Sequence, residues 1–112
     1  MHVLTWALLA AALPLAAGAA PRAESAQECA IAADMAIVAR SLAQERVQQD
    51  KAGAIMTRIY DVSESARGKE LMNDIVEAAY KDRGTGPRFA AELFNACMKS
   101  AGNMDTVLGS RL

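Results

Sequence analysis

Apolar positions along the chain keep two different rhythms. From Val3 to Leu13 the run VLTWALLAAAL is apolar except for Thr5, and Pro14 and a series of small residues follow. From Ser25 onward apolar residues return every three or four positions, the spacing of one face of an α-helix. No stretch alternates with a period of two, so the pattern predicts helices and no strands.

The first helix opens on Ser25-Ala26-Gln27-Glu28, a capping box in which Ser25 accepts from a backbone N–H and Glu28 reaches back. It is expected to run to about Gln48. Ile31, Met35, Val38 and Leu42 form its bulky stripe, and Cys29, Ala32, Ala36, Ala39 and Ala43 form a strip of small residues that lets a neighbouring helix approach closely. Asp34, Ser41, Gln44, Glu45 and Gln48 take the opposite arc, and Ile37 falls near that polar side. A second helix is expected from Asp50, as N-cap, to Tyr60-Asp61, burying Ala52, Ile55, Met56 and Ile59, with Gly53 weakening it slightly. DVSESARGK then reads as a polar connection whose later part is able to be helical.

A third helix follows in ELMNDIVEAAYKD. Leu71, Met72, Ile75, Val76 and Ala79 share one side, Glu70, Asp74 and Glu77 lie away from it, and Lys81 stands four residues after Glu77. Gly84 suits the position beyond that helix, and Pro87 suits the first turn of the next. The fourth, PRFAAELFNACMKSA, places Phe89, Leu93, Ala96, Cys97 and Ser100 close to one face, and Gly102 ends it. The tail NMDTVLGSRL has too few signals to assign, although Met104, Val107 and Leu108 are apolar enough to fold back on the rest. The expected fold is all-α, a compact bundle of about four helices.

The opening apolar run changes where this bundle is expected to work. Ala17-Gly18-Ala19 has the small-x-small form of a signal peptidase site, which predicts cleavage after Ala19; a cut after Ala20 would put Pro21 directly behind the scissile bond. The whole apolar stretch, with the small residues after Pro14 included, is about 18 residues, the lower edge of a bilayer span, and Pro14 interrupts it. Its start, Met-His-Val, lacks the Lys or Arg of most signals. Ala26-Gln27-Glu28 is too polar to be a lipid-attachment box before Cys29. Residues 1–19 are therefore read as a cleavable signal peptide and residues 20–112 as a single helical domain, periplasmic or secreted. Removing the first 19 of 112 residues leaves 93, enough for one core and too few for two.

Charge adds little. The formal net charge is −1, and none of the Asp, Glu, Lys or Arg residues lies in the first 19 positions. That balance gives no electrostatic reason to expect nucleic acid and no polybasic patch for anionic lipid. The expected partner is another periplasmic protein, with no stable membrane span after cleavage.

The two cysteines, Cys29 and Cys97, both survive the cut. In an exported chain a pair allows one disulfide, here joining the first and last helices and setting them antiparallel, with the alanine strip facing Phe89, Leu93 and Cys97. A redox centre would bring its thiols close in sequence, as in C-x-x-C, and a metal site needs further ligands, whereas the chain beyond residue 19 contains no His. Neither a catalytic residue nor a cofactor or metal site is expected. Ser63, Ser65 and Lys69 permit a Ser/Lys mechanism on paper, but they sit in a polar connection, as do Asp61 and Glu64. Glu70, Asp74 and Glu77 read as a solvated ridge, Met35, Met56 and Met72 as core filler, and Tyr60 and Tyr80 as helix-end residues whose rings pack while their hydroxyls stay wet.

The segments ECAIAADMAIVARSLAQERV, IMTRIYD, IVEAAY and RFAAELFNACM together resemble small exported proteobacterial helical proteins of unknown function that carry one early and one late Cys. The resemblance implies export, helices and the bridge, and transfers no activity. In architecture alone the chain is also similar to periplasmic acid-stress chaperones of the HdeA kind, from which the spacing of its Cys pair differs. The expected function is non-enzymatic binding of another protein through a helical surface, a class that includes type VI-style immunity proteins; an acid-stress chaperone is the alternative.

Overall fold

The computed structural model describes residues 22–62 and 65–109. The opening apolar run and the expected cleavage position at Ala19 or Ala20 lie outside the described residues. Four long helices follow in the order that periodicity predicts: α1 (Ala26–Gln44), α2 (Gln49–Tyr60), α3 (Ala66–Lys81) and α4 (Gly86–Lys99). The tail adds a single turn, α5 (Asp105–Leu108). No strand occurs among the described residues.

The bundle is organised around α1, which packs most extensively on α4 and next on α3. Cys29 near the start of α1 is bonded to Cys97 near the end of α4, with Cα atoms 5.7 Å apart. At the opposite end Gly86 opens α4 against α1, where a Cβ would stand 3.4 Å from the Ile37 carbonyl oxygen. The two helices therefore run antiparallel, as the bridge requires. Ala32, Ala36 and Ala39 are fully buried; with only a methyl group at each position the backbones can close in. Met35, Met56, Ile75, Leu93, Cys97 and Met104 are the largest fully buried side chains. Each apolar residue of this size contributes about 1.5–3 kcal/mol through burial.

The bulky stripe of α1 is placed differently from expectation. Met35 is buried, Val38 and Leu42 are half-buried, and Ile31 is 42% exposed. The two helices that bury most of α1 sit on its alanine side, so the inward face is centred on the small residues. The Ile31 edge is left to α2, which offers only Ala52 and Met56 as buried side chains. Ile55 and Ile59, expected inside, are 37% and 53% exposed. Ile37 is exposed as expected.

Helix ends also depart from the sequence pattern. α1 stops at Gln44, four residues early, because Arg46 adopts a left-handed conformation with φ 63°. The Arg46 N–H then donates to the Ala43 carbonyl and the Val47 N–H to the Leu42 carbonyl, the paired bonds of a Schellman motif with Arg at the place Gly usually takes. α2 begins one residue before Asp50, with Gln48 as its N-cap; Asp50 lies in the first turn, where its charge favours the positive end of the helix dipole. α3 starts inside the polar connection, capped by Ser65, which accepts from the Gly68 N–H at 2.9 Å. It ends at Asp82 in extended backbone rather than at a left-handed Gly84. Thr85 caps α4 by accepting from the Arg88 N–H, with Pro87 in the first turn. α4 closes through Ala101 (φ 52°) and Gly102 (φ 93°), the Gly102 N–H donating to the Cys97 carbonyl at 2.8 Å.

Candidate interaction surface

The capping box at the head of α1 is present in modified form. The Glu28 N–H donates to Ser25 Oγ at 3.1 Å, and Glu28 Oε1 accepts from the Glu24 N–H, one residue further back than the usual box. Arg67 of α3 grips the same carboxylate with both Nη atoms, at 2.7 and 3.0 Å, and faces Glu24 at 3.5 Å. Those bonds, with the Arg67 hydrogen bonds first, the Glu24 N–H next and the nearby Arg67 charge adding to them, hold the Glu28 carboxyl down at about 2.

Two other arginines are buried. Arg40 lies on the inward arc of α1, one turn after Ala36, and donates to the carbonyls of Ala79 (2.8 Å) and Gly84 (2.9 Å), with Asp82 at 3.7 Å. It thus satisfies the carbonyl end of α3, where a cation is favoured. Arg22, ahead of α1, is 3% exposed. Its Nη1 donates to Asp105 Oδ1 at 2.7 Å, its Nη2 to the Gly109 carbonyl at 2.9 Å, and its Nε faces Asp74 Oδ2 at 3.3 Å as an ion pair without hydrogen-bond alignment. Its backbone N–H and that of Ala23 both donate to the Gly102 carbonyl. No periodicity signals Arg22, because it precedes the first helix; Arg40 is visible in the sequence as a charge on the alanine arc.

The residues singled out for chemistry are dispersed. Ser65 is a helix cap and Lys69 is exposed; Ser63 and Glu64 lie outside the described residues. Asp61 ends α2 in a left-handed conformation, φ 45°. The acidic ridge on α3 is not uniformly solvated: Asp74 turns to Arg22, while Glu77 forms the expected exposed pair with Lys81 at 3.8 Å. Met35, Met56, Met72 and Met104 are buried, and Met98 is exposed. Cys29 and Cys97 form the disulfide. Among the described residues no group of three His, Cys, Asp or Glu side chains is placed to hold a metal ion, and no helix is long and apolar enough to cross a membrane. A disulfide fits an oxidising compartment.

Both tyrosines bind across the bundle. The Tyr80 hydroxyl donates to the Val47 carbonyl at 2.7 Å, fixing the α1–α2 connection to α3. The Tyr60 hydroxyl donates to Asp34 Oδ2 and ties the end of α2 to the first half of α1. Burial, and then the Asp34 carboxylate beside it, push the Tyr60 phenol well above its ordinary value. Around this bond lies a shallow depression of about 380 Å³ lined by Gln27, Ala30, Ile31, Asp34, Ile59 and Tyr60. Ile31 and Ile59 are its exposed walls, and Ile55 continues the apolar surface one turn back along α2. Lys51 and Arg58 are exposed on the same helix. The result is an apolar strip on α1 and α2 with cations along its outer helix.

The molecule is thus a disulfide-bridged all-α bundle with an uncovered isoleucine strip on one side. Comparison with known proteins returned no matching family model, no matching curated protein and no matching solved structure.

Proposed function

We propose that this chain is an exported, non-enzymatic protein that binds another protein through the isoleucine strip of α1 and α2. Export places the mature domain, starting at Ala20, in the periplasm or outside the cell. The observation that carries the binding reading is the exposure of Ile31, Ile55 and Ile59 together on the side where the bundle is least covered. Three large aliphatic side chains left in water cost apolar hydration that a partner would relieve. The surrounding chemistry favours a partner with an apolar ridge flanked by carboxylates, which Lys51 and Arg58 would meet. The test is a photo-crosslinking side chain placed at Ile55 and, separately, at Ala91 on the exposed side of α4. A single adduct of defined mass from Ile55, lost when Ile59→Arg is added and missing from Ala91, is the expected result. Equal crosslinking from both positions, or none from Ile55, overturns the reading. N-terminal sequencing of exported material checks the processing step separately: it is expected to begin at Ala20.

A second reading, an acid-responsive chaperone, draws support from buried arginines held by carboxylates. Acid removes the negative charges and leaves Lys and Arg positive. Suppression of a client's aggregation at pH 2–3 and not at pH 7 is the expected outcome; a protein that protects no client at either pH ends that reading.

A further inference from the structure

Arg22 joins the two ends of the described domain through its side chain as well as its backbone. It is almost inaccessible to water, yet guanidinium keeps its charge at any pH a protein experiences. Its burial is therefore sustained only by what faces it. Those groups are Asp74 from α3, Asp105 from α5 and the carbonyl of Gly109 just after α5. A like charge, Arg67 at the head of α3, also approaches; its Nη1 donates to the Arg22 carbonyl, and its own charge is met by Glu28 and Glu24.

These contacts are unequal in what they hold. The backbone of residues 22–23 is fixed independently of carboxylates, through the Gly102 carbonyl, and Arg67 adds a further bond. The disulfide holds α1 to α4 at any pH. By contrast α5 is one turn long, too short to persist by its own hydrogen bonds. Its attachments are Met104 at its N-terminal side, fully buried, the half-buried Val107 and Leu108, and the two polar contacts to Arg22. Val107 and Leu108, with Ala78 and Phe89, line a groove of about 610 Å³ between α3 and α4.

We propose that residues 104–109 form an acid-released flap, latched to the bundle by Arg22 through Asp105 and Asp74. Protonation of the two carboxylates leaves a buried cation with neutral neighbours, a state far costlier than the same cation in water. Arg22 then swings out to solvent, α5 loses its polar anchor, and the seat of Met104 and the Phe89 side of the groove open. The bridged pair of α1 and α4 stays folded. The event belongs to the isolated protein and needs neither partner nor client; it shares buried Arg22 with the chaperone reading, and a flap that opens in acid while no client is protected ends that reading and leaves this one standing.

The experiment is residue-resolved amide hydrogen exchange on the oxidised chain at pH 7 and pH 3, corrected for the intrinsic pH dependence of exchange. The amides of Val107, Leu108 and Gly109, which donate to the carbonyls of Met104 and Asp105, report the flap; amides in the middle of α1 and α4 report the frame. Protection of the flap is expected to fall about tenfold or more at pH 3 while the frame keeps its protection. In Arg22→Met, which removes the charge and keeps an apolar stem, flap protection is expected to change less than about twofold between the two pH values. Asp105→Asn, which cannot ionise and leaves Asp74 as the remaining carboxylate facing Arg22, is expected to show at pH 7 a protection between those of the natural chain at pH 7 and at pH 3. Flap protection that is unchanged by acid, a fall shared equally by the frame, or an Asp105→Asn flap as protected at pH 7 as the natural one each overturn the proposal. So does an Arg22→Met variant that keeps the natural pH dependence.

Discussion

At the scale of single residues, backbone conformation decides more than side-chain chemistry. Arg46 holds a left-handed conformation that costs a residue with a Cβ about 1–2 kcal/mol. Its side chain is exposed. Arg46→Gly is expected to stabilise the fold by about 0.5–1 kcal/mol after the greater freedom of the unfolded glycine is counted, measured as a higher urea midpoint at unchanged slope. Gly53 is the opposite case. It sits inside α2 with nothing within 4 Å of the place a Cβ would take. Gly53→Ala therefore gains helix propensity without a clash and is expected to add about 0.5–1 kcal/mol, checked by thermal unfolding. A third residue carries pH dependence. Glu28 titrates at about 2 in the folded chain against an ordinary 4.5, a depressed value. Its stabilisation is thus complete above pH 4.5 and disappears as pH falls from there toward 2. Because its side chain is 35% exposed the effect is modest. Glu28→Gln is expected to flatten the stability-against-pH curve across that window, read by denaturant titrations at several pH values.

At the scale of elements, the helices differ in how firmly they are held. α3 buries five side chains along one face and α4 another five residues, including Gly86, whereas α2 buries only Ala52 and Met56. The amides of α2 are accordingly expected to exchange faster than those of α1 or α4, and Met56→Ala to widen that gap by removing the larger of its two anchors. Hydrogen exchange by mass spectrometry checks both. The same difference in burial governs which features are legible in the sequence. The apolar face of α3, Leu71, Met72, Ile75, Val76 and Ala79, is legible in full because one periodic stripe meets one core. α1 is legible as a helix but not in its orientation, since periodicity marks an apolar arc without saying which edge the larger neighbours take. Its end at Gln44 is hidden because Arg46, not Gly, adopts the left-handed turn. The isoleucine strip escapes a reading of periodicity for a related reason: Ile31, Ile55 and Ile59 have the spacing of core residues, and only the slightness of α2 leaves them outside. Arg22 and its two aspartates stand in three separate segments, and nothing local in sequence joins them.

At the scale of the whole molecule, the disulfide sets the stability. It closes a separation of 68 residues, for which loop entropy gives about 4.4 kcal/mol, a substantial part of the ~5–15 kcal/mol typical of such domains. Cys29→Ala with Cys97→Ala is expected to cost about 2–4 kcal/mol, the lower values reflecting residual order in the unfolded chain. Chemical denaturation of the oxidised protein beside the double variant measures it. The bridge also divides labour with the charged clamps. Arg40 fixes the far ends of α1 and α3, Arg67 their near ends, the sulfur bond joins α1 to α4, and the Tyr60–Asp34 hydrogen bond joins α2 to α1, so that all four long helices are tied by contacts other than apolar packing.

The closed ring has a consequence for how the protein would survive among proteases. A single peptide-bond scission between α2 and α3 falls inside the loop that Cys29 and Cys97 seal. The two fragments would remain one molecule, heavier by a water, running as a single band on a non-reducing gel and keeping the frame of α1 against α4. Only a reductant would set them apart.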